Sequence, residues 1–208
     1  MAQNVTAHPA IPDDDRFKIA SLSNFALTRG TDRLIDVAVA IPPDLRHKFL
    51  FVVAGKMELS KSSDGKLGSI ARRGGTLVDY ARECGVGEMF QFLGHVSEPE
   101  RILQGCDMLI KPTRIDIPWG RDILEAMIAG IPVLTCGTWD KFVRHRETGL
   151  LHPNFDAEDF ARELCKLSTD VNFRNMLGQA AQKHIRTLCN GPARAEDLSA
   201  VWKRTVRS

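Results

Sequence analysis

Apolar residues fall in short blocks along this chain, and the blocks alternate with stretches of helical spacing. Phe49-Leu50-Phe51-Val52-Val53-Ala54 is an unbroken apolar run that ends at Gly55, the pattern of a strand covered on both faces. Shorter runs at 17–22, 89–93, 108–112 and 132–136 predict further strands. Between them lie helical patterns. One starts at Thr31 and carries Leu34, Ile35, Val37 and Ala38. A second covers 67–84 with a break near Gly74-Gly75, and a third runs from Arg121 to Ala129, closed by Gly130. Asp156 with Asp159 caps a helix bearing Phe160, Leu164 and Leu167, and 171–188 forms another. Ser97-Glu98-Pro99-Glu100 reads as a capping box opening a short helix. Beyond Pro192 a last helix carries Leu198, Val201 and Trp202 as its apolar stripe.

This alternation, with short connections, predicts an α/β fold: a doubly wound, Rossmann-like parallel sheet with helices on both faces. Residues 1–16, polar and holding Pro9, Pro12 and Asp13-Asp14-Asp15, are expected to be a flexible tail. Residues 17–190 make the domain, and 191–208 a C-terminal helix. The aspartate triplet reads as solvated linker charge rather than a metal site. Doubly wound sheets bind ligands beyond the carboxyl ends of their strands. The loops 23–30, 95–97 and 113–121 are therefore the candidate site.

Composition narrows this little further. The 208 residues are 43% apolar and 26% charged, enough for one well-filled core. A net charge of +2 gives no reason to expect nucleic acid as a partner. The five cysteines are odd in number and contain no C-x-x-C pair, so they read as reduced, mostly buried thiols in a cytoplasmic protein. Asn4-Val5-Thr6 fits a glycosylation sequon, which carries no weight without export. No run approaches the roughly 20 apolar residues of a membrane span. The six histidines lack metal spacing, and no nucleophile elbow, P-loop or G-x-G-x-x-G is present. Lys183, Arg186, Arg194, Lys203, Arg204 and Arg207 make the end basic. They read as a solvated helical face, with peripheral contact to an anionic membrane surface as the alternative.

The segment Pro118 to Val133 holds the most chemistry. Gly120 before a helix start lets a ligand approach free N–H groups that carry part of a positive charge. Glu125 falls one turn later among Ile123, Leu124, Met127 and Ile128, where a carboxylate needs a partner. A salt bridge to a nearby Arg and a hydroxyl of a bound ligand both satisfy that need.

With Thr28-Arg29-Gly30-Thr31-Asp32-Arg33-Leu34, Phe92-Leu93-Gly94-His95-Val96 and Glu147-Thr148-Gly149-Leu150-Leu151-His152-Pro153, this segment resembles the C-terminal, donor-binding half of GT-B fold glycosyltransferases of the group 1 type. The resemblance covers roughly residues 17 to 190. It implies a retaining hexosyltransferase that uses a nucleotide diphosphate sugar in polysaccharide biosynthesis, with a saccharide or lipid-linked acceptor. It implies that Glu125 binds the donor ribose and that Gly120 and Arg121 face the donor sugar and phosphates. Arg29 stands where such enzymes place a Lys that supports the diphosphate, and an arginine offers a two-pronged contact in its place. His95 and Val96 lie where the base meets main chain. The catalytic candidates are thus Arg29 and Glu125. No metal or other cofactor is expected.

Two positions depart from the pattern. The carboxylate expected eight residues before Glu125 is Ile117, with Asp116 next to it; either a one-residue shift brings Asp116 to the same sugar hydroxyls as a donor-binding residue, or that contact is missing. Asn24 stands where an Arg would help hold the diphosphate; losing such a contact weakens binding about ten- to a hundredfold unless something replaces it. The resemblance also implies a second Rossmann-like domain that binds the acceptor, supplied by a partner chain or domain. Leu198, Val201 and Trp202 then meet that partner, or else cover this domain's own sheet. The alternative readings are a non-catalytic truncated transferase half, binding nucleotide or serving as an interaction module, and a sugar-nucleotide epimerase of shared architecture.

Overall fold

The computed structural model describes residues 6–205. Strand β1 (Phe17–Leu22) leads through a loop to helix α1 (Arg33–Ala40), and β2 (Phe49–Ala54) follows. Helices α2 (Gly65–Arg72) and α3 (Leu77–Glu83) precede β3 (Phe90–Gly94), then α4 (Pro99–Gln104), β4 (Met108–Lys111), α5 (Arg121–Ala129) and β5 (Val133–Cys136). The chain finishes with β6 (Leu150–His152), α6 (Ala157–Thr169), α7 (Val171–Leu188) and α8 (Gly191–Thr205). The six strands form one parallel sheet in the order β3-β2-β1-β4-β5-β6. This is the doubly wound arrangement expected, and its order reverses between β1 and β4.

The unbroken apolar run of β2 feeds two layers. Phe49, Phe51 and Val53 point into the core that contains residues of α1, α3 and α6, whereas Leu50, Val52 and Ala54 join the core beneath α4, α5 and α7. A buried parallel strand needs apolar side chains on both faces, so helical and strand periodicities both vanish there.

Local chemistry fixes several ends. Asp156 Oδ1 accepts from Asp159 N at 2.9 Å and opens α6. Gly130 closes α5 in the left-handed conformation, with φ of 76°. The break at Gly74-Gly75 separates α2 from α3, and Thr76 with Asp79 forms a capping box there.

Other expectations are corrected. Residues 1–5 lie outside the described residues, but the stretch from Thr6 on is not a free tail: His8 N donates to Arg101 O at 3.0 Å. Ile11 is buried against the core of the second face, in space left by Gly105. The capping box at Ser97 is absent, because α4 starts at Pro99 with Glu98 as its cap and no side-chain bond. Helix α1 begins at Arg33 rather than Thr31, because Thr31 and Asp32 belong to the preceding turns. Strand β6 is a strand that the hydrophobic pattern does not predict, lying inside the Glu147–Pro153 motif. The thiols are less buried than expected: Cys136 is buried, Cys84, Cys106 and Cys165 are partly so, and Cys189 is exposed. Helix α8 buries no residue, so Leu198, Val201 and Trp202 do not cover the sheet. Arg207 lies outside the described residues.

Candidate functional site

The loops after β1 and β4 meet at the strand-order reversal, and they are sewn together. Arg114 N and Thr113 Oγ1 both donate to Thr28 O, at 2.9 and 3.0 Å. The Arg114 guanidinium reaches Leu27 O at 2.7 Å and both oxygens of Asp32, at 2.8 and 2.6 Å. In return, Arg33 Nη1 donates to Pro112 O and Thr113 O, at 3.2 and 2.7 Å. Gly30 permits the contact, since its φ of 71° suits glycine and any Cβ there would overlap Pro112 O. Burial lowers the pKa of Arg33, while the bond to Asp32 raises that of Arg114.

Arg29 ends the short turn Leu27–Arg29 of the first loop. It is exposed, and its side chain has no hydrogen bond or ion pair among the described residues. Asn24 is turned away from such a role. Its Oδ1 accepts from Lys56 N at 2.8 Å, and Phe25 N donates to Lys56 O at 2.7 Å. These bonds lock the β1 loop to the turn after β2.

The start of α5 faces the same edge of the sheet. Gly120 caps it in extended conformation with no side-chain bond. Lys111, at the end of β4, lies beneath: its Nζ donates to Asp122 Oδ1 at 2.7 Å and to Trp119 O at 3.2 Å. Asp122 Oδ1 also accepts from Ile123 N at 3.0 Å. The pair is 13% and 11% exposed, so it fixes the loop against the helix. Trp119 itself is exposed and stacks on Phe142, with ring centres 6.4 Å apart.

Arg121 pairs with Glu125 one turn along, Nε to Oε1 at 3.3 Å. Arg121 is largely exposed and Glu125 only 30% so. Burial raises the Glu125 pKa, Arg121 lowers it, and burial is the larger effect. The salt-bridge partner therefore exists, on a side chain that reaches into water.

The remaining candidates are placed as follows. Both carboxylate oxygens of Asp116 are taken by Thr138, with Oδ1 accepting from its N at 3.0 Å and Oδ2 from its hydroxyl at 2.8 Å. Ile117 is exposed. His95 is exposed after Gly94, whereas Val96 packs into the core of the second face. Sequence reasoning missed Arg114, Asp32, Lys111 and Asp122. A signal existed in Ile110-Lys111-Pro112, a charge at the end of a buried strand, which calls for an opposite charge nearby. Among the described residues, no group of three or more His, Cys, Asp or Glu side chains is arranged to hold a metal ion. Nor is any helix long and apolar enough to cross a membrane.

Comparison with known proteins gives a consistent picture. Residues 6–184 match the family model described as glycosyl transferases group 1. The chain is 27% identical over 148 residues to a D-inositol 3-phosphate glycosyltransferase of Saccharomonospora viridis, covering 69% of this chain and 32% of that one. Among solved structures, HepE of Anabaena in complex with UDP superposes with a TM-score of 0.72 at 20% identity, over 89% of this chain and 49% of that one. The C-terminal domain of a group 1 glycosyl transferase family protein from Francisella tularensis superposes with a TM-score of 0.67 at 18% identity, over 88% of this chain and 94% of that one. The chain spans about a third to two-fifths of the length of the first curated relatives it matches.

Proposed function

Since the chain belongs to the group 1 glycosyl transferases, we propose that it is the donor-binding half of such an enzyme, transferring a hexose from a nucleotide diphosphate sugar to a saccharide or lipid-linked acceptor with retention. Glu125 holds the ribose. Arg29 and the start of α5 at Gly120 and Arg121 receive the diphosphate and the sugar, with the main chain at His95 and Val96 toward the base. As the bond between the anomeric carbon and the phosphate oxygen breaks, the leaving diphosphate takes its electron pair, and the acceptor oxygen bonds to that carbon and passes its proton to the departing diphosphate oxygen. The charge that collects on the diphosphate is stabilised by Arg29 and the helix terminus, and the reading requires no resident metal.

The observation that carries this reading is the strand-order reversal itself, at which a helix start without a side-chain cap and an Arg29 without a partner among the described residues share one edge. The UDP bound to HepE, a protein of the same fold, supports a nucleotide donor here. Acceptor binding falls to a second domain or a partner chain, because transfer needs donor and acceptor held together away from water. The unburied Leu198, Val201 and Trp202 of α8 support such a contact. Lys203 and Arg204 on the same helix make an anionic membrane face its alternative partner, and the free cysteines favour the cytoplasm.

A second reading, a non-catalytic nucleotide-binding or interaction module, is favoured by Asp116, whose two oxygens each accept from Thr138 and are held by it instead of being aimed freely at a sugar. Calorimetric titration with UDP, GDP, ADP and their hexose conjugates tests the first step of both. Binding of one series that weakens in Glu125→Ala supports the donor site. Failure of every nucleotide to bind the folded chain at millimolar concentration removes it.

A further inference from the structure

The cations on the ligand-binding edge are not equivalent. Arg114 is paired with Asp32 at 2.6 Å, Lys111 with Asp122 at 2.7 Å and Arg121 with Glu125 at 3.3 Å. On the loops that follow β1, β2 and β4, three basic side chains have no carboxylate among the described residues, Arg29, Lys56 and Lys61, and of the two after β2 Lys56 is the one beside the strand end and bonded to the β1 loop. Lys56 is two residues beyond the end of β2, and its main chain is gripped from both sides by the β1 loop. Its N–H donates to Asn24 Oδ1 at 2.8 Å, and its carbonyl accepts from Phe25 N at 2.7 Å. The preceding Gly55, with φ of 134°, brings the two loops into contact: a Cβ there would meet Ser23 O at 2.6 Å and Asn24 N at 2.7 Å. Met57, the next residue, is buried in the core. The backbone at Lys56 is thus anchored on three sides while its ammonium stands exposed.

An exposed cation on an anchored backbone meets an anion at the cost of ordering its own side chain, without a loop to order as well. Neutral Asn24 suits the adjoining position, because its amide oxygen is the acceptor for the Lys56 N–H and adds no charge to compete for the ligand. We propose that Lys56 is a second phosphate-binding cation of the donor site, partner to Arg29, and that Asn24 is a positioning residue that holds it there. This rests on the donor-binding reading above. The ligand class is the diphosphate of a nucleotide, and the charge contributed at the β1 loop comes from the turn after β2 instead of from residue 24.

The test titrates the 208-residue chain with UDP, GDP and ADP, then takes the tightest binder and its parent nucleoside through variants whose urea midpoints show that they fold. Lys56→Gln weakens the diphosphate about tenfold and leaves the nucleoside unchanged. It also flattens the dependence of affinity on salt, and Lys56→Arg restores most of the binding. Asn24→Ala weakens the diphosphate in the native background but adds nothing in the Lys56→Gln background, since it acts through Lys56. If Lys56→Gln binds the diphosphate like the native chain while Arg29→Gln does not, or if nucleoside and diphosphate weaken alike, the role of Lys56 is overturned and the donor site stands. Additive losses in the double variant overturn the positioning role of Asn24. Absence of any nucleotide binding by the native chain overturns the donor-binding reading itself.

Discussion

Arg114 holds both carboxylate oxygens of Asp32, at 2.8 and 2.6 Å, from across the point where the strand order reverses. Asp32 is 4% exposed, whereas the arginine side chain is 35% exposed, so the two partners depend on each other unequally. Removing the arginine strands a buried carboxylate; removing the carboxylate leaves a cation that still reaches water.

Arg114→Met is therefore expected to cost about 2–4 kcal/mol. Asp32→Asn is expected to cost about 1 kcal/mol. Urea unfolding of the two variants measures the asymmetry, and equal losses would contradict it.

Gly30→Ala forces a side chain into a left-handed turn and against Pro112 O. Both effects oppose the loop contact, so a loss of about 2–4 kcal/mol is expected, with nucleotide affinity falling alongside. Thermal unfolding is the direct measure. A midpoint unchanged from the native chain would mean that the loops part without cost.

The pH dependence of the site follows from Glu125, whose pKa is raised by burial. Between its unfolded and folded pKa values, the folded chain binds more protons than the unfolded one. The group therefore subtracts stability as pH rises through that interval. For a ribose hydroxyl donating to the ionised carboxylate the sense is opposite. Nucleotide affinity should fall as pH is lowered from 7.5 to 5, beginning above the range of an ordinary glutamate. Titrations at several pH values should show this step in the native chain, lose it in Glu125→Gln, and move it to higher pH in Arg121→Gln, since Arg121 holds the pKa down.

Trp202 is 73% exposed on a helix that buries nothing. Trp202→Ala should change the unfolding free energy by less than about 0.5 kcal/mol. Denaturation at matched protein concentration checks it. A larger loss would show that α8 is held in place by contacts of its own.

Much of this was legible where one local signal decided the outcome. Helix α5 runs from Arg121 to Ala129 as Gly120 and Gly130 bracket it, and the run from Phe49 to Ala54 is the fully buried strand it resembles. What escaped depends on partners far along the chain. Ile11 looks like a lone apolar residue in a polar tail until Gly105 makes room for it. Asp116 has the composition of a free carboxylate, and only the fold shows Thr138 across from it. Strand β6 has three residues, too few for any period to appear. Asn24 has a structural partner, the Lys56 N–H, that no spacing announces.

The seam between β1 and β4 also bears on how the molecule assembles. β1 pairs with β2 along six positions but with β4 along two, Ile19 with Met108 and Ala20 with Leu109. On either side of that seam, neighbouring strands follow one another in the chain; across it, Asp32 and Arg114 lie 82 residues apart. Contacts of such long range close late, after the entropy of a large loop has been overcome. The ligand-binding edge is complete only where that seam is closed. A nucleotide that binds there has partners on both sides of the seam, Arg29 on one and Glu125 on the other, and stabilises the joined sheet by mass action.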